Sequence, residues 1–161
     1  MGKLTQHFQL SEFTRSQVAA RKGIDNTPGI VEQRNLLHLA RNLENVRNRL
    51  DGSPIRISSG YRCPELNEAI GGSKTSAHRR GLAADFECPG IPNIEIFQRL
   101  FRKATYDQLI GEYLSADDDA AGWIHIGLAP EGAKLRDEAW VITADKRRLY
   151  SMEAIKREFP S

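Results

Sequence analysis

The chain has 161 residues, 40% of them hydrophobic and 27% charged, and a formal net charge of +2. That length buries a core without disulfides, and the composition excludes disordered and collagen-like classes. No run approaches the roughly 20 apolar residues of a membrane span, and the basic excess forms no concentrated stripe, so a soluble protein without membrane insertion or nucleic-acid binding is expected. Charge is unevenly spread, with 13 basic against 7 acidic side chains in residues 1–80 and 10 against 14 in 81–161.

The N-terminal MGKLTQHFQLSEF has no apolar core region and no small-residue cleavage site, so cytoplasmic synthesis is expected. Without repeats or Pro/Gly/Ser linkers, residues 1–161 read as a single domain. A short helix is predicted to start at Ser11 as N-cap, and a second near Thr27-Pro28, with Thr27 capping and Pro28 in the first helical position. Leu36, Leu39, Ala40, Leu43, Val46 and Leu50 recur at three- and four-residue spacing, and Asp51-Gly52 ends that stripe. Residues 54–59 alternate as a strand, 65–70 form a short helix, and Gly71-Gly72 is its exit. Strands follow at 82–86, 107–114, 123–128 and 140–143, with a helix at 94–103, an acidic loop, SADDDAA, and a C-terminal surface helix in SMEAIKREF. Helices first and strands later make this an α+β chain, its helices packed on one side of a small, mostly antiparallel sheet.

The chemistry lies between Ser58 and His125. His78 and Asp85 are seven apart, with Gly81 permitting a tight turn between them. In LAADF, Ala83 and Asp85 point to one face and Leu82, Ala84 and Phe86 to the other; in WIHIGL, Trp123 and His125 oppose Ile124 and Ile126. Two imidazoles and a carboxylate with one open position match a catalytic zinc site, whereas a structural site is closed by four protein ligands. The spacing alone leaves open that these are ordinary polar residues that never meet, because H-x6-D is not self-sufficient as H-E-x-x-H is. Cys63 and Cys88 lack paired metal spacing and read as reduced thiols, Cys88 as a buried small hydrophobe. His38 reads as a half-exposed helix residue and Trp140 as core.

From HFQLSEFTRSQVAARKGIDNTP through IRISSGYRCPELNEAIGGSKTSAHRRGLAADF to YDQLIGE and WIHIGL, the chain resembles the zinc D,D-carboxypeptidase and endolysin-type peptidases of the M15 class, in their small phage-like branch. The string Ser-x-His-x-x-Gly-x-Ala-x-Asp falls at Ser76, His78, Gly81, Ala83 and Asp85, after Ser59-Gly60-Tyr61-Arg62 and Asn67 with Gly71-Gly72. The resemblance implies a hedgehog/D,D-peptidase-like fold, one Zn2+ ion held by His78, Asp85 and His125, and the peptidoglycan stem peptide as partner. It assigns Arg62 to the scissile carbonyl, Ser76 and Tyr61 to substrate binding or loop orientation, and the segment around His7 to packing. Trp123 is expected to wall the cleft.

Many members of the class carry a glutamate three residues before the last zinc histidine, a position held here by Gly122. Glu112, in DQLIGE, is the expected general base, with Asp117, Asp118 and Asp119 as alternatives. The expected activity is hydrolysis of a peptidoglycan amide by a zinc-activated water, as in an endolysin-like endopeptidase. A D-Ala-D-Ala carboxypeptidase or dipeptidase with the same site, and a non-catalytic wall-binding or virion structural module, are the alternatives. No separate wall-binding domain is expected, and the protein is expected to be a monomer that reaches the wall after release, by way of a phage pore protein.

Overall fold

The computed structural model describes residues 2–160. Its elements in chain order are α1 (Leu10–Thr14), α2 (Gln17–Lys22), α3 (Ile30–Arg49), β1 (Arg56–Ser59), α4 (Pro64–Ala69), a 3-10 turn (Ala77–Arg80), β2 (Ala83–Glu87), α5 (Asn93–Leu100), β3 (Gln108–Leu114), β4 (Trp123–Gly127), β5 (Glu138–Thr143), β6 (Arg148–Leu149) and α6 (Met152–Glu158). No helix among them is long and apolar enough to cross a membrane.

Local chemistry moves several boundaries from where the sequence placed them. Gln9 rather than Ser11 is the N-cap of α1, because the Glu12 carboxylate reaches back to accept the Gln9 backbone N–H at 2.7 Å. This is a capping box shifted by two residues. The long helix α3 starts at Ile30 behind Gly29, not at Thr27-Pro28. Asp25 accepts both the backbone N–H and the hydroxyl of Thr27, at 2.9 and 2.5 Å, and so holds Thr27 in a turn instead of leaving it to cap the helix. Helix α2 was not anticipated. Ser16 caps it by accepting from Ala19 N–H at 3.2 Å, and Gly23, at φ 65°, ends it in the left-handed conformation. Helix α5 stops at Leu100 instead of Lys103, and Arg102 beyond it adopts φ 55°.

The sheet is six-stranded in the order β1-β2-β4-β3-β5-β6. Its pairs are antiparallel except β3 with β5, so the architecture is α+β with a mixed, mostly antiparallel sheet. Ala84, Phe86, Leu109, Ile124, Ile126 and Val141 point to the face that joins the core. The expected stripe of α3 meets them there with Ile96, Phe97 and Leu100 of α5. Each such side chain, when fully buried, contributes about 1.5–3 kcal/mol. The opposite face carries Asp85, His125, Ile110 and Trp140, which lie in one row across β2, β4, β3 and β5.

Trp140 is therefore not a core residue. It is half-buried on that second face and packs against Tyr150, ring centroids 6.0 Å apart. The C-terminal helix α6 is amphipathic, with Ile155 buried in the core and Phe159, just beyond the helix, nearly so. His7, as expected, belongs to a packed segment: the Glu44 carboxylate on α3 receives Thr5 Oγ1, His7 N–H and His7 Nδ1 at 2.7–2.8 Å. His38 is half-exposed on α3.

Asp107 organises the entry to the parallel pair. Its N–H donates to the Gly127 carbonyl at 2.8 Å, and its carboxylate receives the backbone N–H, Nε and Nη2 of Arg136 at 2.8, 2.8 and 2.7 Å. Burial opposes the charged form, but these donors outweigh it and lower the Asp107 pKa. The stability from this contact is present above the ordinary aspartate pKa and is lost as pH falls through the depressed folded value. We expect Asp107→Asn to cost about 1–2 kcal/mol at neutral pH. In urea unfolding at a series of pH values, the gap between wild type and variant should close toward strongly acidic pH.

Candidate metal centre

Three side chains converge on the second face of the sheet. Asp85 on β2 stands directly opposite His125 on β4, so both point the same way, and the turn at 77–80 brings His78 over them. Gly81, at φ 67°, makes that return possible, as the sequence suggested, and a Cβ there would press on the Glu32 carbonyl at 2.7 Å. His78, Asp85 and His125 are 3%, 7% and 8% exposed, and one donor atom from each lies within 4.8 Å of the other two.

Hydrogen bonds set the orientation of each group. His78 Nδ1 lies 2.7 Å from the Gly60 carbonyl, which can only accept, so Nδ1 carries a hydrogen and Nε2 is the nitrogen turned toward the site. That Nε2 faces Asp85 Oδ1 at 3.3 Å, and His125 Nδ1 approaches the same oxygen at 2.8 Å. Neighbouring ligands of a tetrahedral zinc ion stand about 3.3 Å apart, given bonds of 2.0–2.2 Å. The donor set, its spacing and the fixed orientation of the His78 ring therefore fit a zinc ion.

Burial pushes the Asp85 carboxyl upward, but the two imidazoles against it outweigh that and hold it well below the usual carboxylate range. Arg62 completes the surroundings. Its Nη2 donates to Asp85 Oδ2 at 3.1 Å and its Nε to Ser59 Oγ at 3.0 Å, while Nη1 has no partner among the described residues.

The loop that carries Arg62 is held from below. Gly60 lies where a Cβ would come within 2.5 Å of the Phe13 carbonyl oxygen, and Tyr61 N–H donates to that oxygen at 2.6 Å. Arg62 N–H donates to the His78 carbonyl at 3.1 Å. Asn26, which the sequence did not single out, donates to the Tyr61 carbonyl at 2.9 Å and accepts from Cys63 N–H at 2.8 Å, bracketing Arg62 on both sides. Its only signal was its place in GIDNTP, inside the stretch of resemblance. Asn67 donates to the Ser73 carbonyl at 2.9 Å and fills the space over Gly72, which shapes the loop leading to His78.

Glu112 lies opposite Trp123 and two residues along β3 from Ile110, the partner of His125, so it shares the face of the three converging residues. Burial first, and Asp85 second, raise its pKa above the ordinary glutamate value, with His125 and Arg62 acting the other way. Trp123 is half-buried against Tyr113, ring centroids 5.4 Å apart. Its indole N–H makes no hydrogen bond of normal geometry, yet it is close enough to Glu112 to favour that carboxylate.

Asp117, Asp118 and Asp119 lie in the exposed turn between β3 and β4. Asp118 Oδ1 accepts from Ala120 N–H at 3.0 Å and Asp119 borders a separate groove beside Cys88. Ser76 is half-buried just before the 77–80 turn and its hydroxyl makes no capping bond. Tyr61 is buried with its ring in the core cluster. Cys63 and Cys88 are free and buried, and burial pushes the Cys88 thiol up to about 11.

Gly122, the residue in place of the glutamate found in many class members, has φ 72°, and a Cβ there would overlap the Glu112 carbonyl oxygen. No other residue fits without moving β3.

The family model described as Peptidase M15 matches residues 6–127, a span that includes every one of these converging groups. The chain belongs to the Peptidase M15 family. No curated protein matches it. This M15 chain is thus a metallopeptidase-family member with a candidate His78–Asp85–His125 metal site.

Two outcomes are expected. Isothermal titration should give one zinc ion per chain, with His78→Ala, Asp85→Ala and His125→Ala each weakening binding at least about tenfold. Gly122→Ala should lower stability by roughly 1–3 kcal/mol in chemical denaturation, through overlap with the Glu112 backbone.

Proposed function

We propose that this protein is a zinc-dependent peptidase that hydrolyses an amide bond in the peptide part of bacterial peptidoglycan, as an endolysin-like endopeptidase of the phage-like branch. The observation that carries the reading is the convergence of His78, Asp85 and His125 on one sheet face with Glu112 beside them and Arg62 on Asp85. Family membership supports the reaction class.

His78 Nε2, an Asp85 oxygen and His125 Nδ1 would hold the ion, which when bound supplies a Lewis acid and an acidified water. Asp85 keeps its negative charge through its partners, as a ligand must. The Gly60 carbonyl fixes the His78 ring in the orientation that presents Nε2. Glu112 takes the proton of the attacking water and returns it to the leaving amine. Its raised pKa suits both halves of that task, because a carboxyl nearer neutrality accepts and releases a proton more evenly. Arg62 is held at two of its nitrogens by Ser59 and Asp85, which leaves Nη1 as the donor for the scissile carbonyl and the negative charge that grows on it.

Removing one such donor typically lowers turnover about 100- to 1,000-fold. Glu112 takes the role that Gly122 leaves vacant, and its place on the sheet face of His125 supports the exchange.

The test is mass spectrometry of purified peptidoglycan after incubation with zinc-loaded protein, beside a chelated aliquot. Zinc-dependent new termini are expected, together with a loss of at least about 100-fold in turnover for Glu112→Gln at unchanged zinc content. Release of a terminal residue alone would replace the endopeptidase by a carboxypeptidase. Intact wall from zinc-bound protein would replace both by a non-catalytic module.

A further inference from the structure

A groove of about 420 Å³ opens beside the candidate metal centre, between α2 and the stretch from β1 to α4. Its apolar floor includes Tyr61 and Leu66, with Val18 on the α2 wall. Its charged lining is three arginines, Arg15, Arg21 and Arg62, and no carboxylate lines it. Val18 and Arg21 are three residues apart on α2 and so share one helix face, while Ala19 turns into the core.

Two further facts bear on what this groove can bind. Among the described residues, Arg15 and Arg21 are exposed and make no ion pair and no side-chain hydrogen bond, as holds for several other surface arginines, so both guanidinium groups are open to a ligand that enters the groove. Arg62 belongs to the groove and to the centre at once, since it lines the groove and donates to Asp85. The groove is thus continuous with the centre through Arg62, and Tyr61, Leu66, Arg15 and Arg21 line it.

We propose that this groove is a subsite for an anionic segment of the substrate peptide, in which Arg15 and Arg21 bind a side-chain carboxylate close to the scissile amide. The inference rests on the peptidase reading above and adds to it a charge requirement, a free acidic side chain in the segment that enters the groove. A guanidinium matches a carboxylate with two parallel hydrogen bonds, and two guanidinium groups with no partner of their own give up no existing ion pair to bind it. Amidation of that carboxylate would remove the charge and one acceptor, leaving the arginines without a match.

The experiment uses synthetic wall peptides in two forms, side-chain carboxylates free or amidated. Zinc-loaded, 15N-labelled Glu112→Gln protein is titrated with each, and the same protein carrying R15A and R21A is titrated in parallel. Amide shifts are expected at residues 15–21 and 58–70, with affinity about tenfold higher for the free acid, a preference that R15A/R21A abolishes and R15K/R21K partly restores. In the active enzyme, R15A/R21A should raise KM for the free-acid peptide and leave kcat within about twofold.

Equal affinity for the two peptide forms, no binding of either, or a preference that survives in R15A/R21A overturns the subsite. A carboxylate preference that depends on Arg15 and Arg21, with no zinc-dependent cleavage of any wall peptide, overturns the peptidase reading and leaves the anionic groove standing. Zinc-dependent cleavage at equal KM for both forms does the reverse.

Discussion

One buried carboxylate organises this molecule. Asp85 is 7% exposed, and an aspartate in that position is tolerable only if its charge is matched and its oxygens are occupied. His78 and His125 share Oδ1 and Arg62 takes Oδ2. These come from three separate stretches of chain, so satisfying one oxygen pair ties together the 77–80 turn, strand β4 and the loop after β1. The antiparallel register of β2 with β4 supplies His125 directly. The other two partners require loops to be held in place by polar contacts that have no role in the core.

Those contacts come from the helical layer. Asn26 brackets Arg62 from the segment before α3, and Phe13 of α1 approaches so closely that only glycine fits at residue 60. On the other side of the sheet order, Asn93 at the start of α5 donates to the carbonyls of Ala121 and Gly122 at 3.2 and 3.1 Å. It anchors the hairpin that aligns Glu112 with Trp123. The apolar core thus positions the helices, and the helices in turn hold, by side-chain amides and glycine contacts, the loops on which the chemistry depends. A rigid scaffold carrying functional loops is the usual division of labour, but here one face of the same sheet serves as scaffold and the other as site.

Much of this was legible in the residues. The α3 stripe was readable because six apolar residues recur on one helical face, and all six are buried. Alternation in LAADF and WIHIGL indicated which residues leave the core, because a strand repeats every two residues. What stayed hidden had no periodic signal. Helix α2 is six residues long with one buried side chain, too short to show a period. Trp140 is apolar by type, and only the pairing of Ile110 with both His125 and Trp140 shows that it shares the site face. Asn26 and Asn93 act through backbone atoms 35 and 28 residues away, contacts for which a local pattern carries no mark.

The sequence by itself determined the α+β class, the apolar faces and the identity of the residues able to bind a metal, since composition and periodicity are properties of the chain at short range. Family likeness added the grouping of His78, Asp85 and His125. Only the tertiary structure decided that Glu112 shares their face while the Asp117–Asp119 turn stays in solvent, because a shift of one residue in the β3–β4 register would turn Glu112 to the opposite side. It also decided why residue 122 is glycine: the chain passes too close to the Glu112 carbonyl for any side chain to fit. Register and close approach arise between segments distant in sequence, and no local pattern encodes them.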